Sequence, residues 1–158
     1  MKELIELLHK TNRVDYLLDT CFLVYMFKTN KIKKLVNFCT HNVVGMSEFN
    51  LKELLHFHHK LGGTFNHQFR NFLKQELIHV TPSTVSPGER QNEKTFVTNF
   101  DPHILQCVPD PSDAVLFVQA LQMSANIITR DKHHIFTAVA ENYSQKYNIK
   151  ILNDLPLG

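Results

Sequence analysis

Cysteine is scarce and scattered. Cys21, Cys39 and Cys107 are odd in number and include no CxxC pair. That supports neither a disulfide framework nor a zinc ribbon, and fits a reducing, cytoplasmic setting. No basic stretch followed by an apolar one opens the chain, so no signal peptide is expected. The longest apolar run, Cys21 to Phe27, is far short of the ~20 residues a membrane-crossing helix needs. Neither charge sign dominates: 17 Lys+Arg against 15 Asp+Glu leave a net charge of +2. Net charge therefore argues neither for nor against a nucleic-acid partner, and any phosphate contact has to come from a local patch. Internal repeats, low-complexity tracts and Gly/Ser-rich linkers are missing as well. The 158 residues read as a single domain over 1–158, long enough to bury a core unaided. A hydrophobic fraction of 43% excludes wholesale disorder.

What is present is an alternation of short apolar runs with helical patterns. Tyr16-Leu17-Leu18, Val43-Val44-Gly45-Met46, Leu77-Ile78-His79-Val80, Ala125 to Thr129 and Ile149 to Leu152 have the length and residue types of buried parallel strands. Between them, Leu51, Leu54, Leu55 and His58 share one helix face, and Ala114, Phe117, Val118 and Leu121 share another. Ser86-Pro87-Gly88-Glu89 reads as a capping box with proline at the first helical position, and Asp110-Pro111-Ser112-Asp113 as an aspartate cap of the same kind. Thr81 to Gly88 reads as a loop. Strand and helix in alternation predict an α/β fold with a central parallel sheet of about five strands. Residues 1–13 carry Leu4, Leu7 and Leu8 at helical spacing, and predict an extra N-terminal amphipathic helix that packs on the sheet or on a second subunit.

Acids fall where such a fold places function. Asp19 ends the first strand and Asp131 follows Ile127-Ile128-Thr129. Glu53 lies on the helix after the second strand, and Asp113 in the first turn of the helix after the Pro-rich loop. Open parallel sheets gather functional groups at the carboxyl edge of their strands. Taken singly, each acid has a plain alternative as a helix cap or a solvated residue. Together they form a cluster that is costly without a cation, and oxygen-only ligands suit Mg²⁺ or Mn²⁺.

Leu17-Leu18-Asp19-Thr20, Ser47 with Glu53-Leu54-Leu55, Asp113-Ala114-Val115-Leu116 with Ala120, and Ile127 to Asp131 occur in this order, the acids 34, 60 and 18 positions apart. In this the chain resembles the PIN-domain ribonucleases, and most nearly the VapC-type toxins of toxin–antitoxin pairs, over roughly Asp15 to Leu152. The resemblance implies a three-layer fold, a Mg²⁺ or Mn²⁺ site on Asp19, Glu53, Asp113 and Asp131, and hydrolysis of single-stranded RNA. It also implies a homodimer and an antitoxin protein as partner. Asp19 and Asp131 are the expected direct ligands. Thr20, Ser47 and Thr129 are expected to orient the carboxylates by hydrogen bonds, with capping or turn closure as the alternative. Two features depart from relatives of this kind. Some 13 residues precede the first strand, unlike VapC-type chains, and the zinc ribbon of the ribosome-maturation PIN nucleases is missing.

Other patterns are weighed against plainer readings. His56-Phe57-His58-His59 and His133-His134 lack an HExxH pattern or a thiolate partner and read as structural or solvated. Lys28, Lys31, Lys33 and Lys34 read as a solvated basic face. Arg130 and Lys132 flank an acid of the quartet and are the expected phosphate contacts. Two rivals remain: a non-catalytic RNA-binding or scaffold PIN domain, and a phosphatase of the haloacid-dehalogenase kind. The second wants an aspartate two residues after the strand-end nucleophile, where this chain has Cys21.

Overall fold

The computed structural model describes residues 1–131 and 138–156. In chain order these form α1 (Lys2–Glu6), β1 (Tyr16–Leu18), α2 (Thr20–Lys28), α3 (Ile32–His41), β2 (Val44–Ser47), α4 (Glu48–Phe57), α5 (Gly63–Leu73), β3 (His79–Thr81), α6 (Arg90–Phe100), α7 (Ile104–Cys107), α8 (Pro111–Met123), β4 (Asn126–Ile128), α9 (Ala138–Lys146) and β5 (Ile151–Leu152). The strands form one parallel sheet in the order β3-β2-β1-β4-β5. This is the α/β architecture the alternating pattern predicts, with every apolar run contributing a strand. The third strand sits a little later than Leu77–Val80, because Thr81 pairs with Ser47.

Alternation along the strands builds two cores. Leu18 and Ile128 face one cluster with Phe22, Leu35, Leu54 and Phe69, from α2, α3, α4 and α5. Leu17 and Ile127, one residue earlier in each strand, face the other with Val97, Ile104 and Phe117, from α6, α7 and α8. Helices on both faces of a parallel sheet make three layers. Each fully buried Leu, Ile or Phe contributes roughly 1.5–3 kcal/mol of transfer free energy, so α8, buried at every position from Ala114 to Leu121, anchors its layer. Gly45 permits the closest approach: a Cβ there would lie 2.9 Å from Val14 Cγ1 and 3.1 Å from the His79 carbonyl oxygen.

The sheet order reverses beside β1. The chain moves outward to β2 and β3, then returns to β4 on β1's other side. The helix after β1 packs on one face, while Tyr143 and Tyr147, which follow β4, pack on the other. The connections leaving β1 and β4 thus diverge, opening a crevice at their carboxyl ends.

Two local expectations are corrected. Residues 1–13 are not one helix. α1 stops at Glu6, and His9 and Thr11 instead join the sheet edge, with Val80 N–H donating to the His9 carbonyl at 2.9 Å and Thr11 N–H to the Val80 carbonyl at 3.0 Å. Leu4 and Leu8 pack into this chain's own core, and Leu7 is left 68% exposed. Likewise Ser86-Pro87-Gly88-Glu89 is not a capping box. Gly88 has φ +90°, which a helix cannot contain, and α6 starts at Arg90 with no side-chain cap. The Asp110 cap is as expected: its carboxylate accepts from Ser112 N–H at 2.9 Å, with Pro111 opening α8.

Among the described residues, no helix is long and apolar enough to cross a membrane.

Candidate functional site

The crevice at the ends of β1 and β4 is a cleft of about 540 Å³, lined by Asp19, Glu53, Asp113 and Asp131. The fold thus brings all four acids of the predicted quartet to one place. Val24, Phe57 and Leu116 supply apolar wall, and no Lys or Arg lines the cleft among the described residues.

Asp19 sits at the N-cap of α2, yet its side chain makes no cap bond. Its backbone N–H donates to the Ile128 carbonyl at 2.9 Å, extending the β1–β4 ladder and fixing the residue in the crevice. Freed from capping, the carboxylate of this buried residue collects donors from three directions. Thr129 Oγ1 donates to Oδ2 at 2.7 Å, Cys21 Sγ to Oδ2 at 3.2 Å, and Asn50 Nδ2 to Oδ1 at 3.3 Å. Burial nonetheless holds the Asp19 pKa above the usual carboxylate range, the Thr129 and Cys21 bonds opposing it and the nearby Asp131 reinforcing it. Burial, together with the Asp19 charge, pushes the Cys21 thiol to about 12, so Cys21 acts as a donor here rather than a nucleophile.

Asn50 is the residue the sequence reading missed. Ser47 caps α4, its Oγ accepting from Asn50 N–H at 3.1 Å and donating to Asn50 Oδ1 at 2.7 Å. With its oxygen held, Asn50 turns its amide nitrogen toward Asp19, Thr20 Oγ1 (3.2 Å) and Glu53 Oε1 (3.2 Å). The i, i+3, i+6 spacing of Ser47, Asn50 and Glu53 was the available signal, because it sets all three on one helix face. The three hydroxyl residues therefore bear on the acids by different routes: Thr129 directly, Ser47 and Thr20 through Asn50.

Glu53 lies one turn beyond Asn50, with its pKa pushed up to about 7. Burial is the main cause, and Asp19, Glu93 and Asp110 add like charge while Arg90 opposes. Burial also pushes Asp113 well above the carboxylate range, assisted by its hydrogen bond to Asp131 and by that residue's charge.

Glu93 was not legible at all, since α6 reads as a polar helix. It is 0% exposed. Its Oε1 accepts from Ser112 Oγ at 2.6 Å, and its Oε2 has no hydrogen-bond partner among the described residues. Arg90 Nη1 stands 3.8 Å from Glu93 Oε1, 3.3 Å from Asp110 Oδ1 and 3.2 Å from Ser112 Oγ. This group braces the first turn of α8, which carries Asp113.

Of the two expected phosphate contacts, Arg130 is among the described residues. Arg130 lies outside the cleft lining, with its guanidinium 4.0 Å over the Tyr25 ring and Nη1 donating to the Asn153 carbonyl at 3.1 Å. Lys132, His133 and His134, and a helix start capped by Asp131, lie outside the described residues. Of the other histidines, His58 pairs with Asn66 Oδ1 at 2.6 Å, and His56 and His59 are exposed. Lys28, Lys33 and Lys34 are exposed.

The donor set is oxygen-rich and anionic, as hard divalent cations require. Among the described residues, no three His, Cys, Asp or Glu side chains are already grouped as a ligand cage. The acids engage Thr129, Asn50 and one another instead. No family model matches the chain, and no curated protein is found to be related to it.

Proposed function

We propose that the chain is a divalent-metal-dependent nuclease that hydrolyses phosphodiester bonds of single-stranded RNA in this cleft. One observation carries the reading: four carboxylates, reached from β1, α4, α8 and β4, line a single crevice with no cationic side chain among the described lining residues. Bound Mg²⁺ or Mn²⁺ would supply an activated water and stabilise the leaving oxygen. Asp19 and Asp131 are assigned as direct ligands, with Glu53 and Asp113 completing the set.

The chain's own contribution is preorganisation. Thr129, Cys21 and Asn50 hold Asp19 in one orientation before any ligand arrives. Burial sets the Glu53 pKa near 7 in the metal-free cleft, and Asn50 occupies Oε1, leaving Oε2 as the oxygen that a cation would take. Val24, Phe57 and Leu116 add apolar surface to the cleft from α2, α4 and α8.

A second reading, a non-catalytic RNA-binding domain, is favoured by the prior engagement of the acids with neighbours. A gel assay on unstructured RNA separates the two. Metal-dependent cleavage, abolished by EDTA and by Asp19→Asn, is the expected result. Binding without cleavage in either ion supports the second reading, and cleavage that survives exhaustive chelation overturns the first.

A further inference from the structure

A second and larger cavity, about 770 Å³, lies between α3 and the segment that follows β5. We propose that it is a binding groove for the single strand of RNA as it leaves the acidic cleft. The proposal rests on the reading of the cleft as an RNA site and adds the path of the strand.

The groove's chemistry suits phosphate. Lys34, Asn37 and His41 line it from α3 and are exposed. Their spacing of three and four residues puts them on one helix face, spanning roughly 10 Å at 1.5 Å per residue. His41 Nδ1 bonds the Asn37 carbonyl at 2.8 Å. A carbonyl only accepts, so Nδ1 carries a proton, and Nε2 can donate to a phosphate oxygen only in the doubly protonated ring. Tyr16 and Phe38 form an apolar floor, edge to face at 4.9 Å. The acid in the lining, Asp154, turns Oδ1 back to its neighbour's N–H, that of Leu155, at 2.8 Å.

Side-chain contacts through Tyr25 link the groove to the cleft. Cys21 lines the cleft, and Tyr25 follows it one turn later on α2. The Tyr25 ring carries Arg130 at 4.0 Å on its face, and its hydroxyl accepts from Lys31 Nζ at 2.6 Å. Arg130 is tied to the cleft wall, its backbone N–H donating to Cys21 Sγ at 3.4 Å, while Lys31 lines the groove. Arg130, Lys31, Lys34 and His41 thus lead away from the acids, and neither Arg130, Lys31 nor Lys34 makes an ion pair among the described residues. Unpaired cations in a row beside a floor of rings match a flexible polyanion with apolar bases.

The test uses the full chain with Asp19→Asn, so that RNA is bound and not cut. A fluorescein-labelled, unstructured 12-nucleotide RNA is titrated by anisotropy at several salt concentrations against this protein and against the same protein with Lys31→Ala and Lys34→Ala. The expected result is at least ten-fold weaker binding and a salt slope shallower by about 1.4, from roughly 0.7 per phosphate contact on a single strand. Lys34→Arg should bind as the parent does. With Asp19 intact, the double alanine variant should still cut a trinucleotide, which fills the cleft alone. Unchanged 12-nucleotide affinity and slope, with wild-type cleavage intact, overturns the groove and leaves the nuclease reading standing. The groove also falls if the double variant loses an acidic peptide but keeps RNA. A wild type that neither binds nor cuts RNA overturns both.

Discussion

Thr129 donates its hydroxyl to Asp19 Oδ2 at 2.7 Å and with the same oxygen accepts the Asp131 amide at 3.0 Å. One side chain thereby ties the carboxyl ends of β1 and β4 together, across the point where the sheet order reverses. Thr129→Val keeps the branched shape and removes both bonds, along with the 3.4 Å contact to Cys21 Sγ. It leaves Asp19 buried with one donor fewer, at a cost of about 1–3 kcal/mol. Urea denaturation should show that loss, and RNA cleavage should fall about 10–100-fold, the usual effect of removing a bond that orients a ligand. Wild-type stability together with wild-type cleavage would show that this hydroxyl orients nothing that matters.

Ser47 and Asn50 should behave as one unit. Ser47→Ala removes the α4 cap, worth about 0.5–2 kcal/mol, and frees the Asn50 amide to rotate. Asn50→Ala removes the donor shared by Asp19 and Glu53. Because the serine acts on the acids through the asparagine, the double variant should lose little more activity than Asn50→Ala alone. Activity losses that simply add would mean that Ser47 reaches the cleft by another route.

The acids were legible from sequence because strand ends and helix starts can be read from apolar runs, and topology then does the rest. Leu17 against Leu18, and Ile127 against Ile128, already mark two buried faces. Glu93 was not legible. Its burial comes from the packing of α6 on α8, and nothing in Arg90 to Lys94 separates an inward residue from a solvated one. The Leu4, Leu7, Leu8 pattern misled because leucine spacing does not show where backbone pairing wins. His9 and Thr11 gain hydrogen bonds to Val80, and the helix ends before them. Ser86-Pro87 failed for a local reason, since Gly88 takes a backbone angle no helix accommodates. Asn50 was within reach, being on the same face as Ser47 and Glu53, but a single asparagine carries no charge to draw the eye.

Stability should fall as pH rises across the window set by Glu53. Its ordinary value is 4.5 and its folded value is about 7. Between the two the unfolded chain has released a proton that the folded chain still holds, so rising pH favours unfolding, and the effect levels off above about 7. The raised pKa values of Asp19 and Asp113 act with the same sign, beginning lower, from 3.8. Glu53→Gln keeps an acceptor for Asn50 and removes the titration. Metal-free urea midpoints at pH 4.5 and pH 7.5 should converge in this variant relative to wild type. An unchanged difference would mean that Glu53 titrates as an ordinary exposed glutamate.

Metal should reverse that penalty, and melting curves can test this without any RNA. In the metal-free protein, Asp113 and Asp131 share a hydrogen bond and Asp19 lies close enough to raise the Asp113 pKa. Asp113→Asn relieves like-charge repulsion, so the metal-free variant should melt at or above wild type. Mg²⁺ or Mn²⁺ at ten times its dissociation constant should stabilise wild type by about 1.4 kcal/mol through mass action. For a chain of this length that is a rise of about 3–6 °C in Tm. The variant should rise much less, because it has lost one anionic ligand. A cleft that takes no cation predicts no response to either ion in either protein. A wild-type Tm that is unmoved by 10 mM of both ions, at constant pH and ionic strength, would remove the physical basis for a metal-dependent nuclease.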